Sequence, residues 1–178
     1  MRAPSMLILA GLLPFALQPA LAQPKPAAKP PASAIPAPRP IGAFEDWQAA
    51  TYDEAGQTVC YAFTKARSST PRIPGRGEAI LTVTQRVLMR DAVSLSAGFE
   101  YAANAGVSVQ SDKAKFEFYT AKRSAFARDG HAVIAALATS RQVTVKSPHP
   151  QKKEVVDSFS VRGFAKAYEA INKACPPK

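Results

Sequence analysis

The sequence has few of the residues that build metal and catalytic sites. Its 178 residues include two histidines, two cysteines and one tryptophan. A zinc ion takes three or four ligands at compatible spacing, whereas His131 and His149 are isolated. The chain also lacks a Gly-x-Ser-x-Gly elbow and a glycine-rich phosphate loop. We therefore expect no metal and no cofactor, and we expect that the protein is not an enzyme.

A long uninterrupted hydrophobic run is missing as well. The apolar stretch that follows Arg2 is interrupted by Pro14 and Pro19, so it is a poor match to a membrane span of about 20 residues. A positive residue before the stretch and a small-x-small triplet at 20–22 are typical of an export signal. We predict that residues 1–22 are a signal peptide and that the mature protein is periplasmic or secreted. An uncleaved anchor is the alternative.

Residues 23–40 are dominated by proline and alanine. Such a segment cannot bury a core and favours the extended polyproline II conformation. We predict that it is a linker, which either holds the domain away from a surface, binds a proline-recognising groove, or forms an unstructured tail. The remaining residues, 41–178, have the size of one ordinary domain.

The two cysteines, Cys60 and Cys175, lie near the two ends of this domain. In an oxidising compartment, two thiols and no others most simply form one disulfide. The alternatives are two reduced, buried thiols or a redox pair, but no Cys-x-x-Cys motif is present to support redox catalysis. We predict a structural disulfide that ties an early strand to the last helix.

The hydrophobic pattern of the domain predicts mostly β-strands, because apolar residues recur with period two. The predicted strands are 44–51, 58–63, 79–84, 92–101, 107–109, 116–119, 143–145 and 155–161, and a mobile loop is predicted at 67–77. The period changes after Asp129, which can cap a short helix through about Ala138. A stripe from Phe164 to Cys175 predicts a C-terminal amphipathic helix. We therefore predict a mainly β fold, an antiparallel β-sandwich-like single domain with these two helices.

Acidic residues are scarce relative to basic ones. The chain has 13 Asp and Glu against 23 Lys and Arg, a formal net charge of +10. This balance favours anionic partners, although export argues against nucleic acid. The candidate residues for an anion- or partner-binding surface form two groups: Arg67, Arg72 and Arg76 of the predicted loop, and Lys113, Lys115, Lys122 and Arg123 farther along the chain. Peripheral association with a membrane is one form that such binding could take, and an ordinary solvated surface is the alternative.

A series of short segments follows a characteristic order along the domain: Trp47, Cys60–Thr64, Ile80–Thr84, Phe116–Tyr119, Ser124–Ala127, Asp157–Phe164 and Cys175. Over roughly residues 47–175 the chain resembles the invasion-associated locus B family of exported bacterial proteins. The resemblance implies a β-sandwich-like periplasmic or surface-associated protein, linked in some pathogens to entry into host cells. It implies no established catalytic residues.

These observations predict an exported, non-enzymatic envelope protein that binds a protein partner or an anionic envelope component and contributes to host-cell interaction. The alternative is a periplasmic hydrolase, or another small-molecule enzyme, with an unrecognised site. A pocket that gathers His131 or His149 with an acid and a hydroxyl would favour the enzyme. An exposed basic or apolar patch would favour the binding protein.

Overall fold

The computed structural model describes residues 37–151 and 154–177. The predicted signal peptide and most of the predicted linker lie outside the described residues. The elements, in chain order, are β1 (Arg39–Phe44), β2 (Trp47–Glu54), β3 (Gln57–Lys65), β4 (Ser68–Thr70), β5 (Ile80–Gln85), β6 (Ala92–Ser96), β7 (Gly106–Ser111), β8 (Lys115–Ala121), β9 (Ser124–Phe126), α1 (Gly130–Thr139), β10 (Gln142–Ser147), β11 (Val155–Ser160) and α2 (Phe164–Ala174). Neither of these two helices is long and apolar enough to cross a membrane.

All eleven strands belong to one antiparallel sheet in the order β1-β2-β3-β5-β6-β9-β8-β7-β10-β11-β4. Although β4 stands at the end of this order, it follows β3 in the chain. The backbone N–H of Ala66 donates to the carbonyl of Ala79, and that of Arg67 donates to the carbonyl of Ser158. Up to Ala66 the chain pairs with the segment that leads into β5, and from Arg67 onward it pairs with β11, which lies near the other end of the strand order. The sheet therefore curls back on itself. The mainly β prediction is confirmed.

The interior of the curled sheet is filled by alternate side chains of its strands. In β6, for example, Val93 and Leu95 are buried while Ser94 between them is not. Trp47 is completely buried; its indole Nε1 donates to the carbonyl of Ser160 at 3.0 Å, and its ring centroid lies 4.8 Å from that of Phe164. Burying a large side chain with its polar atom satisfied stabilises the fold by about 1.5–3 kcal/mol.

Helix α2 packs against β1, β2 and β3. Gly163 precedes the helix with φ of 85°, and a side chain there would collide with the carbonyl of Phe44. Glycine therefore allows the helix to start close to the end of β1. At the other end of the helix, Cys175 is bonded to Cys60 of β3, with their Cα atoms 6.0 Å apart. The structure therefore contains the disulfide that the sequence predicts.

Helix α1 also forms where the sequence predicts it. The Asp129 carboxylate caps the helix by accepting a hydrogen bond from the backbone N–H of Ala132 at 2.9 Å. Such a cap satisfies one of the N–H groups that have no partner within the helix. The buried face of the helix consists of Val133, Ile134, Ala136 and Leu137.

Several predicted boundaries are wrong. The predicted linker ends two residues too late, because Arg39 and Pro40 already pair with Thr51 and Ala50 of β2. The strand predicted at 44–51 is two strands, since the chain turns between Phe44 and Trp47. The first error arises because a proline at the start of an edge strand looks the same in sequence as a proline in a linker.

Two further segments differ from prediction. The strand predicted at 92–101 ends at Ser96, because the chain turns at Gly98, where φ is 75°. The loop predicted at 67–77 contains the short strand β4.

Candidate anion-binding cleft

A cleft of about 270 Å³ lies between the β3–β4 segment and residues 72–79. Its cationic lining residues are Lys65, Arg67, Arg72 and Arg76. The structure therefore brings together the three arginines that the sequence grouped as one candidate surface. Lys65 was not among the candidate residues predicted from the sequence. Its position next to the arginine-rich segment, at the end of β3, was the only feature of the sequence that could have indicated it.

Arg76 does not offer its charge to a ligand, contrary to the sequence prediction. Its Nη1 and Nη2 donate to the two carboxylate oxygens of Asp157 at 2.8 and 2.6 Å, and its Nε donates to the carbonyl of Ala97 at 2.7 Å. Ser69 Oγ donates to the same carboxylate at 2.6 Å. The Arg76 side chain is 6% exposed and that of Asp157 is 0% exposed. A buried carboxylate therefore neutralises this arginine.

The Arg76–Asp157 pair forms a rigid floor beneath the cleft. It joins the 72–79 segment to β11. Beside it, the backbone N–H of Gly77 donates to the carbonyl of Gly98 at 3.1 Å, and a side chain on Gly98 would collide with the carbonyl of Gly77. The two backbones can approach this closely because Gly98 carries no Cβ.

The residues packed around this floor are neutral or aromatic. The Tyr101 hydroxyl lies 3.1 Å from Ser147 Oγ, and burial raises the pKa of Tyr101 to about 12, so the phenol remains protonated. The Arg76 guanidinium lies 5.2 Å from the centroid of the Phe99 ring. The His149 ring packs edge-on against the same Phe99 ring at 4.6 Å. These contacts support a packing role for His149.

The rim of the cleft carries the exposed charges. Arg67 Nη1 lies 3.4 Å from Asp46, and Lys65 Nζ lies 2.8 Å from Glu78; both basic side chains are more than half exposed. Arg72 is exposed and makes no ion pair with any described residue. Exposed ion pairs contribute little net stability. An incoming anion could therefore replace the carboxylates of Asp46 and Glu78 as the partner of the rim cations. It could also pair with Arg72, whose charge is uncompensated.

The second group of predicted basic residues is divided by the structure. Lys113 lies in the turn before β8 and Lys115 is the first residue of β8, whereas Lys122 and Arg123 lie in the turn after it. Arg123 Nη2 donates to the carbonyl of Gly98 at 3.2 Å, which places this second turn at the end of the sheet that carries the cleft. The seven candidate residues therefore do not form one continuous surface.

A histidine, an acid and a hydroxyl do meet at another place, but without catalytic geometry. His131 Nδ1 lies 3.5 Å from Asp91, and the Tyr168 hydroxyl donates to the same carboxylate at 2.8 Å. Burial and the neighbouring Asp91 raise the pKa of Tyr168. The hydroxyl bonds to the carboxylate and not to the imidazole, so the nucleophile–base hydrogen bond is missing. Within the described part of the chain, no group of three or more His, Cys, Asp or Glu residues could hold a metal ion.

Comparison with known proteins places this fold in a family. A family model described as invasion associated locus B (IalB) protein matches residues 47–172, which is more than half of the chain. The chain belongs to the invasion associated locus B family. The resemblance seen in the sequence is therefore confirmed, and the matched range of this family includes both walls of the cleft.

The fold is also similar to that of a solved structure. This is the crystal structure of invasion associated protein B from Bartonella henselae, with a TM-score of 0.53 and 18% sequence identity. The match covers 75% of this chain and 95% of that chain. At this identity the likeness concerns the fold alone. No curated protein sequence matches the chain significantly.

Proposed function

We propose that this member of the invasion associated locus B family is an exported, non-enzymatic envelope protein that binds an anionic group in the cleft. The group belongs to an envelope component or to a protein partner. The main support for the proposal is the position of Arg67 and of Arg72, whose charge is uncompensated, at the rim of the cleft. The floor of this cleft is neutralised by the Arg76–Asp157 pair.

The geometry supports an anion for two reasons. Guanidinium groups bind phosphate and carboxylate through paired, charge-assisted hydrogen bonds. The volume of about 270 Å³ suits one such group rather than a large ligand. Since Asp157 holds the floor in place before any ligand arrives, binding has to order only the exposed side chains of the rim.

Export and host interaction are parts of this proposal. The disulfide between Cys60 and Cys175 supports a periplasmic or secreted location, because such bonds persist in oxidising compartments. The family name and the Bartonella henselae protein are associated with invasion, which supports a contribution of this chain to host-cell contact.

The test uses the full chain and purified lipopolysaccharide as the phosphorylated probe. We expect the double variant Arg67→Glu/Arg72→Glu to weaken binding by about tenfold or more, because each residue offers charge-assisted hydrogen bonds. The control variant, Lys113→Glu/Lys115→Glu, changes the net charge equally at the start of β8, outside the lining of the cleft, and should bind as the wild type does. An equal loss in both variants would show that only net charge matters, and the cleft assignment would fail.

A protein partner is tested in intact cells. A photo-crosslinking residue is placed at Ser68, which is an exposed residue of the cleft lining. We expect a discrete adduct that disappears when Arg67 and Arg72 are reversed in charge. An adduct that survives charge reversal, together with unchanged lipopolysaccharide binding, contradicts the proposal. Release of phosphate or acyl groups from the probe would contradict its non-enzymatic part.

A further inference from the structure

The exposed apolar side chains of this protein are concentrated in one place. Among the described residues, the exposed large hydrophobic side chains are Val87, Leu88, Met89 and Tyr119, at 37%, 93%, 52% and 45%. Three of them are consecutive in the β5–β6 loop. Single exposed apolar residues are common in soluble proteins, whereas a contiguous group marks an interaction surface.

The loop that carries them is held in a defined shape. The backbone N–H of Arg86 donates to the carbonyl of Met89 at 2.9 Å, so that Val87 and Leu88 form the tip of a tight turn. At the base of the loop, Gln85 Nε2 donates to the Asp91 carboxylate at 2.6 Å, and the Asp91 N–H donates to Gln85 Oε1 at 2.8 Å. The fold therefore presents Leu88 to the outside through specific hydrogen bonds.

Two arginines beside the loop keep their positive charge uncompensated. Arg90 donates to the carbonyl of Cys175 at 2.8 Å and to Asn172 Oδ1 at 2.5 Å, and both acceptors are neutral. The Arg128 guanidinium lies 5.3 Å from the centroid of the Tyr119 ring. Neither arginine makes an ion pair with a residue that the structure describes.

These groups share a second cleft of about 370 Å³, lined among others by Met89, Arg90, Tyr119 and Arg128. Asp91 also lines this cleft. Its carboxylate is already occupied by Gln85 and by the Tyr168 hydroxyl, and it faces His131 at 3.5 Å. The cleft therefore combines apolar, aromatic and cationic groups.

We propose that this end of the molecule, the apolar tip (Val87–Arg90 with Tyr119 and Arg128), docks on the surface of an anionic phospholipid bilayer. Leu88 and Met89 enter the boundary between headgroups and acyl chains, and Arg90 and Arg128 meet lipid phosphates. A bilayer surface offers apolar and anionic groups side by side over such a patch. Arg and Tyr are also residues that suit the headgroup level.

This inference does not depend on the proposed function. Ala79, just before β5, lines the anion-binding cleft, whereas Thr84, near the end of β5, lines the cleft beside the apolar tip. The two sites thus lie toward opposite ends of one strand. A bilayer could hold the tip while the other cleft stays open to a ligand.

The experiment measures binding of the full chain to vesicles of equimolar phosphatidylcholine and phosphatidylglycerol, compared with phosphatidylcholine alone. We expect binding to the anionic vesicles only. Leu88→Asp should weaken it by about tenfold or more and Arg128→Gln by about fivefold, while Lys122→Gln, an equal charge change at an exposed residue that lines neither cleft, should leave it unchanged. A Leu88→Trp variant reports insertion directly, because the emission of an inserted tryptophan should shift to shorter wavelength on the vesicles. Trp47 is already buried and should not contribute to this shift.

Four results would overturn the proposal. These are absence of binding to the anionic vesicles, unchanged binding of Leu88→Asp, an equal loss in Lys122→Gln, and equally tight binding of free glycerol phosphate at the tip. The last result would identify a soluble phosphate as the ligand. A dimer in analytical ultracentrifugation that Leu88→Asp dissociates would instead make the tip an interface between two copies. Thermal unfolding checks that each variant folds, which we expect since Leu88 is 93% exposed.

Discussion

Replacing Asp157 by alanine should destabilise the protein more than any exposed charge substitution. The change leaves the Arg76 guanidinium, 6% exposed, without a counter-charge, and it removes the acceptor of the Ser69 hydroxyl. Removing one partner of a buried ion pair costs about 3–5 kcal/mol. For a domain of this size, the midpoint of thermal unfolding should fall by about 10 °C.

A double-mutant cycle separates the loss of the pair from the isolation of a charge. We expect Arg76→Met and Asp157→Leu to be destabilising singly, whereas the double variant should recover much of the loss because no buried charge remains. Urea unfolding can be followed through Trp47, the single tryptophan, which is fully buried. The control is Glu117→Ala, which breaks an exposed pair with Lys115 at 3.2 Å and should have little effect. If Asp157→Ala were no more harmful than this control, the buried pair would not brace the fold.

Two further predictions concern stability. Replacing Cys60 and Cys175 by serine should lower the free energy of unfolding by about 3–5 kcal/mol, since a bridge between residues 115 positions apart restricts the unfolded chain. A reductant should lower the stability of the wild type to the same level. If neither change lowered the stability, the stabilising role of the disulfide would be refuted. Burial raises the pKa of Asp91, but hydrogen bonds from Gln85 and Tyr168 outweigh burial and hold that pKa below its usual value. Asp91 thus adds stability above about pH 4 that is lost as the pH falls through its lowered pKa. The Asp91→Asn variant should therefore lose less of its free energy of unfolding at acid pH than the wild type does. An equal loss in both proteins would contradict this role of Asp91.

Local patterns in the sequence were sufficient for most of the secondary structure. Period-two alternation located the long strands, and Asp129 located the start of α1. The strands β4 and β9 were missed because three residues are too few to show a period. The disulfide was predictable because the chain has only two cysteines.

The two surfaces were predictable only in part. The placement of Arg67 and Arg72 beside one cleft was predictable because they are neighbours in a basic segment. Arg76 was misassigned, since its partner Asp157 is 81 residues away. The apolar tip was not found at all, because Val87–Met89 looks in sequence like a short hydrophobic core segment.

The sequence by itself determined the fold class and the positions of the two helices, because these depend on backbone geometry and on alternation between near neighbours. It also determined the bridge, because only one pair of cysteines can form. Only the tertiary structure decided which arginines are neutralised and which apolar side chains face water. The physical reason is that a charge is compensated, and a side chain is buried, by residues that folding brings together from distant parts of the chain.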